Sequence, residues 1–100
     1  MASITELRRA ARVPVRLQGQ LRGRGIPGFD VTLVDMSTSG FRAEAVFRMN
    51  IGQTVWLKLP GLSGLEASVA WRGPLVYGFS LHQPLHPAVF EHLVATVGHC

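Results

Sequence analysis

The chain has 100 residues, of which 47% are hydrophobic and 16% are charged, a size and composition that fit one globular domain and exclude a disordered chain. Its apolar runs are much shorter than the roughly 20 residues needed to cross a bilayer, which excludes a membrane-spanning helix. The formal net charge of +4 favours an anionic partner such as a nucleotide, a nucleic acid or a membrane surface.

The positive charge is concentrated in the first quarter of the chain, where only Glu6 offsets it. All of it there is arginine, whose planar guanidinium matches phosphate groups and guanine edges better than lysine does. Residues 1–12 are predicted to form a flexible arginine arm. The arginines of this first quarter are Arg8, Arg9, Arg12, Arg16, Arg22 and Arg24.

Six short strands follow the arm, each marked by alternating apolar and polar residues. Clusters of glycine, proline, asparagine, aspartate and serine separate them and predict turns. An all-β fold is expected, a six-stranded antiparallel β-barrel over residues 13–82, because closing so small a sheet removes its exposed edges. The strands are predicted at about 13–22, 29–33, 41–45, 55–59, 65–72 and 75–81.

The end of the chain has a different pattern. Pro87 suits the first position of a helix, and apolar residues then recur at helical spacing until Gly98. One amphipathic C-terminal α-helix is predicted over residues 87–97, packed against the barrel or capping its mouth. A single domain over residues 1–100 results.

Two short motifs carry the chemistry. In the first, Arg8-Arg9-Ala-Ala-Arg12, two arginines four residues apart can converge on one anion and bind phosphate oxygens or the O6 and N7 atoms of guanine. They can also stack on a purine face. Alone, such a pair is more often solvated charge.

The second motif is Asp35-x-Ser37-x-x-Gly40. The Asp35 carboxylate can accept hydrogen bonds from guanine N1–H and N2–H, and the Ser37 hydroxyl can donate or accept. Gly40 permits close approach of a ligand to the backbone. Alone, the motif is typical of an ordinary turn, but the two motifs together indicate a guanine nucleotide as the ligand.

In this order and on this strand pattern, the two motifs resemble the signature of the PilZ domain, Arg-x-x-x-Arg followed by Asp/Asn-x-Ser-x-x-Gly. The resemblance covers nearly the whole chain, because Val69-Ala-Trp71 and Tyr77-Gly78-Phe79 are similar to the last two strands of that family. It implies a PilZ-like split barrel and a bacterial receptor for cyclic di-GMP.

The resemblance also implies roles for single residues. The arginine arm would wrap over cyclic di-GMP, often bound as a stacked dimer, and the second motif would hold it from the barrel surface. Arg9 would add charge between the two signature arginines. The nucleotide-binding residues are therefore expected to be Arg8, Arg9, Arg12, Asp35, Ser37 and Gly40.

A receptor of this kind would order its arm on ligand binding and signal to a downstream protein. Two alternatives stay open: a PilZ-type adaptor that acts only through protein contacts, and a basic small-barrel binder of nucleic acid. The last is disfavoured because no run of exposed aromatic residues lies among the basic ones. The protein is predicted to be cytoplasmic, because its start lacks the apolar core of a secretory signal and its single cysteine, Cys100, cannot form an internal disulfide.

No enzyme, cofactor or metal site is predicted. Neither a Ser-His-Asp arrangement nor a carboxylate pair is legible in the sequence. Pro84 separates two of the histidines and no cysteine or carboxylate cluster joins them. The four histidines are His82, His86, His92 and His99.

The tryptophans and two further arginines complete the predictions. Trp56 lies on the polar side of its strand and is expected to be partly buried beneath another element, with an exposed aromatic that contacts the arm, the helix or a partner as the alternative. Trp71 is predicted to lie in the core with Tyr77 and Phe79. Arg16 and Arg42 either reach the ligand or face solvent. Both of these alternatives are compatible with the sequence pattern.

Overall fold

A computed structural model describes residues 12–96, apart from the side chains of Ser63 and Thr96. Alternating apolar residues form the strands, as expected for segments buried on one face only. The elements are β1 (Val13–Gly23), β2 (Ile26–Met36), β3 (Gly40–Glu44), β4 (Thr54–Leu59), β5 (Leu62–Arg72), β6 (Val76–Leu81) and α1 (Pro87–Thr96).

The six strands close into a barrel in the order β1-β2-β3-β6-β5-β4, and all neighbouring strands are antiparallel. Strand β4 returns to pair with β1, where Leu21 lies opposite Leu57. The predicted all-β class, with a six-stranded antiparallel barrel and one C-terminal helix, is confirmed. Closure leaves no unpaired strand edge in this part of the chain.

Apolar side chains from alternate positions of the strands fill the interior of the barrel. Leu21, Leu33 and Leu57 are completely buried, and each such side chain contributes about 1.5–3 kcal/mol by leaving water. Tyr77 and Phe79 are buried as predicted. The Tyr77 hydroxyl accepts a hydrogen bond from the Met49 backbone N–H at 3.3 Å, which satisfies its polar end.

Helix α1 begins at Pro87, as predicted, and Thr96 is the last described residue. The ring Nδ1 of His86 accepts the Ala88 backbone N–H at 3.0 Å and so caps the first turn. Leu93 is buried and Phe90 half-buried against the barrel core. The helix is too short to span a membrane.

Three strands run further than the sequence pattern predicts: β1 and β2 at their shared turn, and β5, which begins at Leu62. The expected break at residues 23–28 is a tight turn at Arg24 and Gly25, after which β2 begins at Ile26. Gly25 has a φ of 72°, a left-handed conformation that favours glycine. At its other end β2 continues to Met36, so Asp35 lies in a strand and not in the predicted turn.

Candidate functional site

A β-bulge in β2 turns Asp35 to the outside of the barrel. Leu33 pairs with Ala43, but Asp35 pairs with Arg42, so two residues of β2 oppose one residue of β3. Simple alternation would place Asp35 on the same side as Leu33, in the core. The extra residue reverses the sides, and the carboxylate faces Arg42 on the outer surface.

A second bulge, in β5, has the same effect on Trp71. Val69 pairs with Phe79, whereas Trp71 pairs with Gly78. The prediction that Trp71 lies in the core is therefore wrong, and the residue is 38% exposed. The two bulges aim a carboxylate and an indole at one outer surface.

These pairings align five residues across five strands. Pro14 pairs with Asp35, Asp35 with Arg42, Arg42 with Gly78, and Gly78 with Trp71. We call this row the bulged face. The bulged face combines the Asp35 carboxylate, the Arg42 guanidinium and the Trp71 indole, and Gly78, which has no side chain, lies between the last two.

Asp35 and Arg42 form an ion pair at the centre of the bulged face. The Arg42 Nε–H donates to Asp35 Oδ2 at 2.7 Å, and the Nη2 group donates to the same oxygen. The hydrogen bond to Asp35 raises the pKa of Arg42 above its ordinary value. Partial desolvation lowers this pKa, and the attraction between the two charges raises it again. The pair keeps Arg42 charged and oriented along the sheet.

The second carboxylate oxygen of Asp35, Oδ1, has no hydrogen-bond partner within residues 12–96. Asp35 is only 5% exposed, and its Oδ1 atom is buried without a hydrogen bond among the described residues. Buried carboxylate oxygens are nearly always hydrogen-bonded, because an unsatisfied one is costly. Oδ1 is therefore an unused acceptor at the centre of the bulged face.

Ser37 organises the turn that follows β2. Its hydroxyl accepts the backbone N–H groups of Ser39, at 3.1 Å, and Gly40, at 3.2 Å. The Ser37 N–H donates to the Gly40 carbonyl at 2.8 Å. Ser37 is only 4% exposed, so its polar groups serve the turn itself.

Replacing Ser37 with alanine is expected to lower the free energy of unfolding by about 1–2 kcal/mol, because two backbone N–H groups lose their acceptor. Urea denaturation followed by circular dichroism measures the change. Ser80→Ala is the matched control, since Ser80 is exposed on the neighbouring strand β6, and its unfolding midpoint should not move. A Ser37 variant as stable as this control would show that the hydroxyl does not hold the turn.

The glycines of this region leave room for other groups. A Cβ on Gly40 would overlap the Phe79 carbonyl oxygen, and a Cβ on Gly78 would overlap the indole of Trp71. Gly40 therefore lets β3 lie tightly against β6. Gly78 forms a shelf on which the Trp71 ring rests beside Arg42.

The protein-family comparison matches the PilZ domain model over residues 6–98. The chain belongs to the PilZ family. No curated protein sequence matches it. PilZ domains form a family of cyclic di-GMP receptors and generally bind ligands without catalysing reactions.

The structure brings the end of the PilZ arginine motif close to the second motif. Val13 pairs with Met36 and Pro14 with Asp35, so the chain leaves Arg12 directly beside residues 35–37. Arg12 is exposed. Arg8 and Arg9 lie outside the described residues, and the nucleotide-binding roles of all six signature residues stay predictions.

Arg42 and Trp71, the two side chains of the bulged face that can contact a ligand beside Asp35, are not among the predicted PilZ site residues. For Arg42 the sequence is compatible with a ligand contact and with a solvent-facing charge, and it does not predict the ion pair with Asp35. Trp71 was assigned to the core because it follows Val69 at the spacing of a regular strand. A glycine at position 78, opposite a tryptophan in the predicted hairpin, is the one signal in the sequence that could have indicated an outward ring.

A chain of hydrogen bonds on another side of the PilZ barrel has the residue order of a hydrolytic triad. Ser68 Oγ lies 2.6 Å from His82 Nε2, and His82 Nδ1 lies 3.0 Å from Glu66 Oε2. However, Ser68 pairs with residues on both neighbouring strands, so its backbone N–H belongs to the sheet and cannot stabilise an oxyanion. Within residues 12–96, no three metal-ligating side chains converge.

Proposed function

We propose that this PilZ domain is a cyclic di-GMP receptor that binds the nucleotide on the bulged face. The observation that supports it most directly is the buried, unpartnered Oδ1 atom of Asp35. Guanine presents two adjacent N–H donors, N1–H and N2–H, and a carboxylate is their natural acceptor. The Arg42 side chain is 40% exposed and can rotate away from Asp35 without disturbing the core.

Trp71 supplies a surface for stacking. Its indole rests on Gly78 and is partly exposed, so a purine can contact it without displacing a core residue. Aromatic stacking of a base is worth about 1–3 kcal/mol. The proposed guanine site therefore has an edge acceptor and a flat platform on neighbouring strands.

The arginine arm supplies the phosphate contacts. Arg12 directly precedes β1 and lies beside Asp35 and Ser37, and Arg8 and Arg9 precede it in sequence. Guanidinium groups bind phosphate oxygens and the O6 and N7 atoms of guanine bidentately. We propose that residues 1–12 become ordered over the nucleotide and that the new surface signals to a downstream protein.

Ser37 and Gly40 act through the shape of the site in this proposal. The Ser37 hydroxyl already binds two backbone N–H groups, and Gly40 is closed in by strand β6. Both residues fix the position of the turn after Asp35. Their place in the PilZ signature then reflects the geometry that presents the carboxylate.

Calorimetric titration of the protein with cyclic di-GMP tests the proposal, with GTP and cyclic di-AMP as controls. We expect saturable binding of cyclic di-GMP alone. The chain has two tryptophans, so a Trp56→Phe variant reports on Trp71, whose fluorescence should be quenched by cyclic di-GMP. No binding to the intact protein would reject the receptor function and favour the adaptor that acts through protein contacts.

A further inference from the structure

A second surface with an aromatic ring among basic side chains lies far from the bulged face. Across β1 and β4, Arg22 pairs with Trp56 and Gln20 pairs with Lys58. Arg24 lies in the turn that follows β1. At about 3.3 Å per residue, Arg22 lies roughly 25 Å along β1 from Pro14. We call Arg22, Arg24, Trp56 and Lys58 the basic aromatic face.

Trp56 stands between two clefts of this face. One, of about 520 Å³, is lined on its polar side by Gln20, Arg22 and Lys58. The other, of about 400 Å³, is lined by Arg24 on the far side of the ring. Trp56 is half-buried, so part of its side chain packs against the barrel and the rest of the ring is accessible to solvent.

The charges of this face are not neutralised. None of its three cations forms an ion pair with a carboxylate among residues 12–96. The two acids in register with Trp56 and Gln20 on the neighbouring strands already have partners: Glu66, which pairs with Trp56, lies 3.0 Å from His82 Nδ1, and Asp30 accepts the Gln20 amide at 3.2 Å. The Arg22 guanidinium lies 5.9 Å from the Trp56 ring centre, a weak exposed contact that a stacked base can replace.

We propose that the basic aromatic face binds single-stranded nucleic acid without sequence preference. A base stacks on Trp56, and the phosphates on its two sides contact Arg24 in one direction and Arg22 with Lys58 in the other. Such a combination of a basic groove with a stacking ring is how single strands are bound generally, because every base has a flat face. A duplex would not bind in this way, because its bases are stacked on each other and present no free face to Trp56.

This proposal reverses the expectation from the sequence, which contains no run of aromatic residues among basic ones. Trp56 and Arg22 are distant in sequence and become neighbours only because β4 closes the barrel against β1. The inference is independent of cyclic di-GMP binding, because it involves neither Asp35 nor Trp71.

Fluorescence anisotropy with a fluorescein-labelled oligouridylate of about 12 nucleotides, within the usual site size of one small barrel, tests the proposal on the full chain at low salt. Trp56→Ala should weaken binding about 5- to 150-fold, the equivalent of one lost stacking contact. Lys58→Glu should weaken it and lower the slope of log K against log salt by about 0.7 or more. The matched controls, Trp71→Ala and Arg48→Glu, replace an exposed tryptophan and an exposed arginine elsewhere and should change little.

Equal losses in Arg48→Glu and Lys58→Glu, with none in Trp56→Ala, would mean diffuse charge binding and overturn the proposal. Displacement of the probe by uridine monophosphate at the same nucleotide concentration would also overturn it, because a mononucleotide site would then be present. If Trp56→Ala does not fold, Trp71→Phe leaves Trp56 as the sole tryptophan. Its fluorescence should be quenched by the unlabelled oligouridylate and not by cyclic di-GMP, and no quenching at saturation would reject the site.

Discussion

Replacing Asp35 with alanine is expected to weaken cyclic di-GMP binding about 30- to 150-fold, the equivalent of one lost charge-assisted contact of about 2–3 kcal/mol. The reason is that Asp35 carries the unused buried acceptor of the bulged face, Oδ1. Calorimetric titration measures the loss. Because Arg42 is partly exposed, water can solvate it after its partner is removed, and the fold should persist.

The control for this variant is Asp30→Ala. Asp30 is an exposed carboxylate on the same strand, bound to Gln20 at 3.2 Å and remote from the bulged face. Its removal should leave affinity within twofold. Asp35→Asn keeps an acceptor oxygen but loses the charge, so its affinity should lie between alanine and wild type. Wild-type affinity in a folded Asp35→Ala protein would contradict the proposed site.

The fold was largely predictable because one physical rule governs it. Residues such as Leu17 and Leu21 alternate with polar neighbours, and a strand with one buried face requires that period. Turn residues then separate the strands. The two long strands at the first hairpin were underestimated, because Pro27 and Gly28 resemble a break but are accommodated at the exposed end of β2.

The site was predictable only in part, because bulges depend on the partner strand. Asp35 lies two residues after the core residue Leu33, and Trp71 lies two residues after the core residue Val69. Nothing in the alternation shows that a bulge falls within each of these intervals. The motif predicts Asp35 as a nucleotide-binding residue in a turn, whereas the structure has it within strand β2. Its pairing with Arg42 arises from the register between β2 and β3.

The closure of the barrel produced the other feature that the linear sequence could not show. Trp56 was expected to be partly buried, and it is. Its neighbours Arg22 and Lys58 come from two strands whose pairing depends on the whole topology. Contacts between the first and the fourth strand follow from the fold and not from local spacing.

Replacing Gly40 with alanine is expected to lower the free energy of unfolding by about 3 kcal/mol, as overpacking against rigid groups does. The new Cβ would overlap the Phe79 carbonyl oxygen in the pairing of β3 with β6. That backbone cannot move aside easily, because the Phe79 ring stacks on Phe41 at 4.6 Å in the core. For a domain of this size the midpoint of thermal unfolding, followed by circular dichroism, should fall by roughly 12 °C or more.

Gly28→Ala separates this cause from the general cost of adding a methyl group to a strand glycine. The nearest atoms to a Cβ on Gly28 are 3.9 Å away, so its unfolding midpoint should stay close to that of the wild type. If Gly40 served only to leave room for the nucleotide, alanine at position 40 would lower affinity and leave stability unchanged. A large loss of stability without ligand would instead show that this signature glycine is required by the packing of β3 against β6, and that the nucleotide depends on it through the position of Asp35.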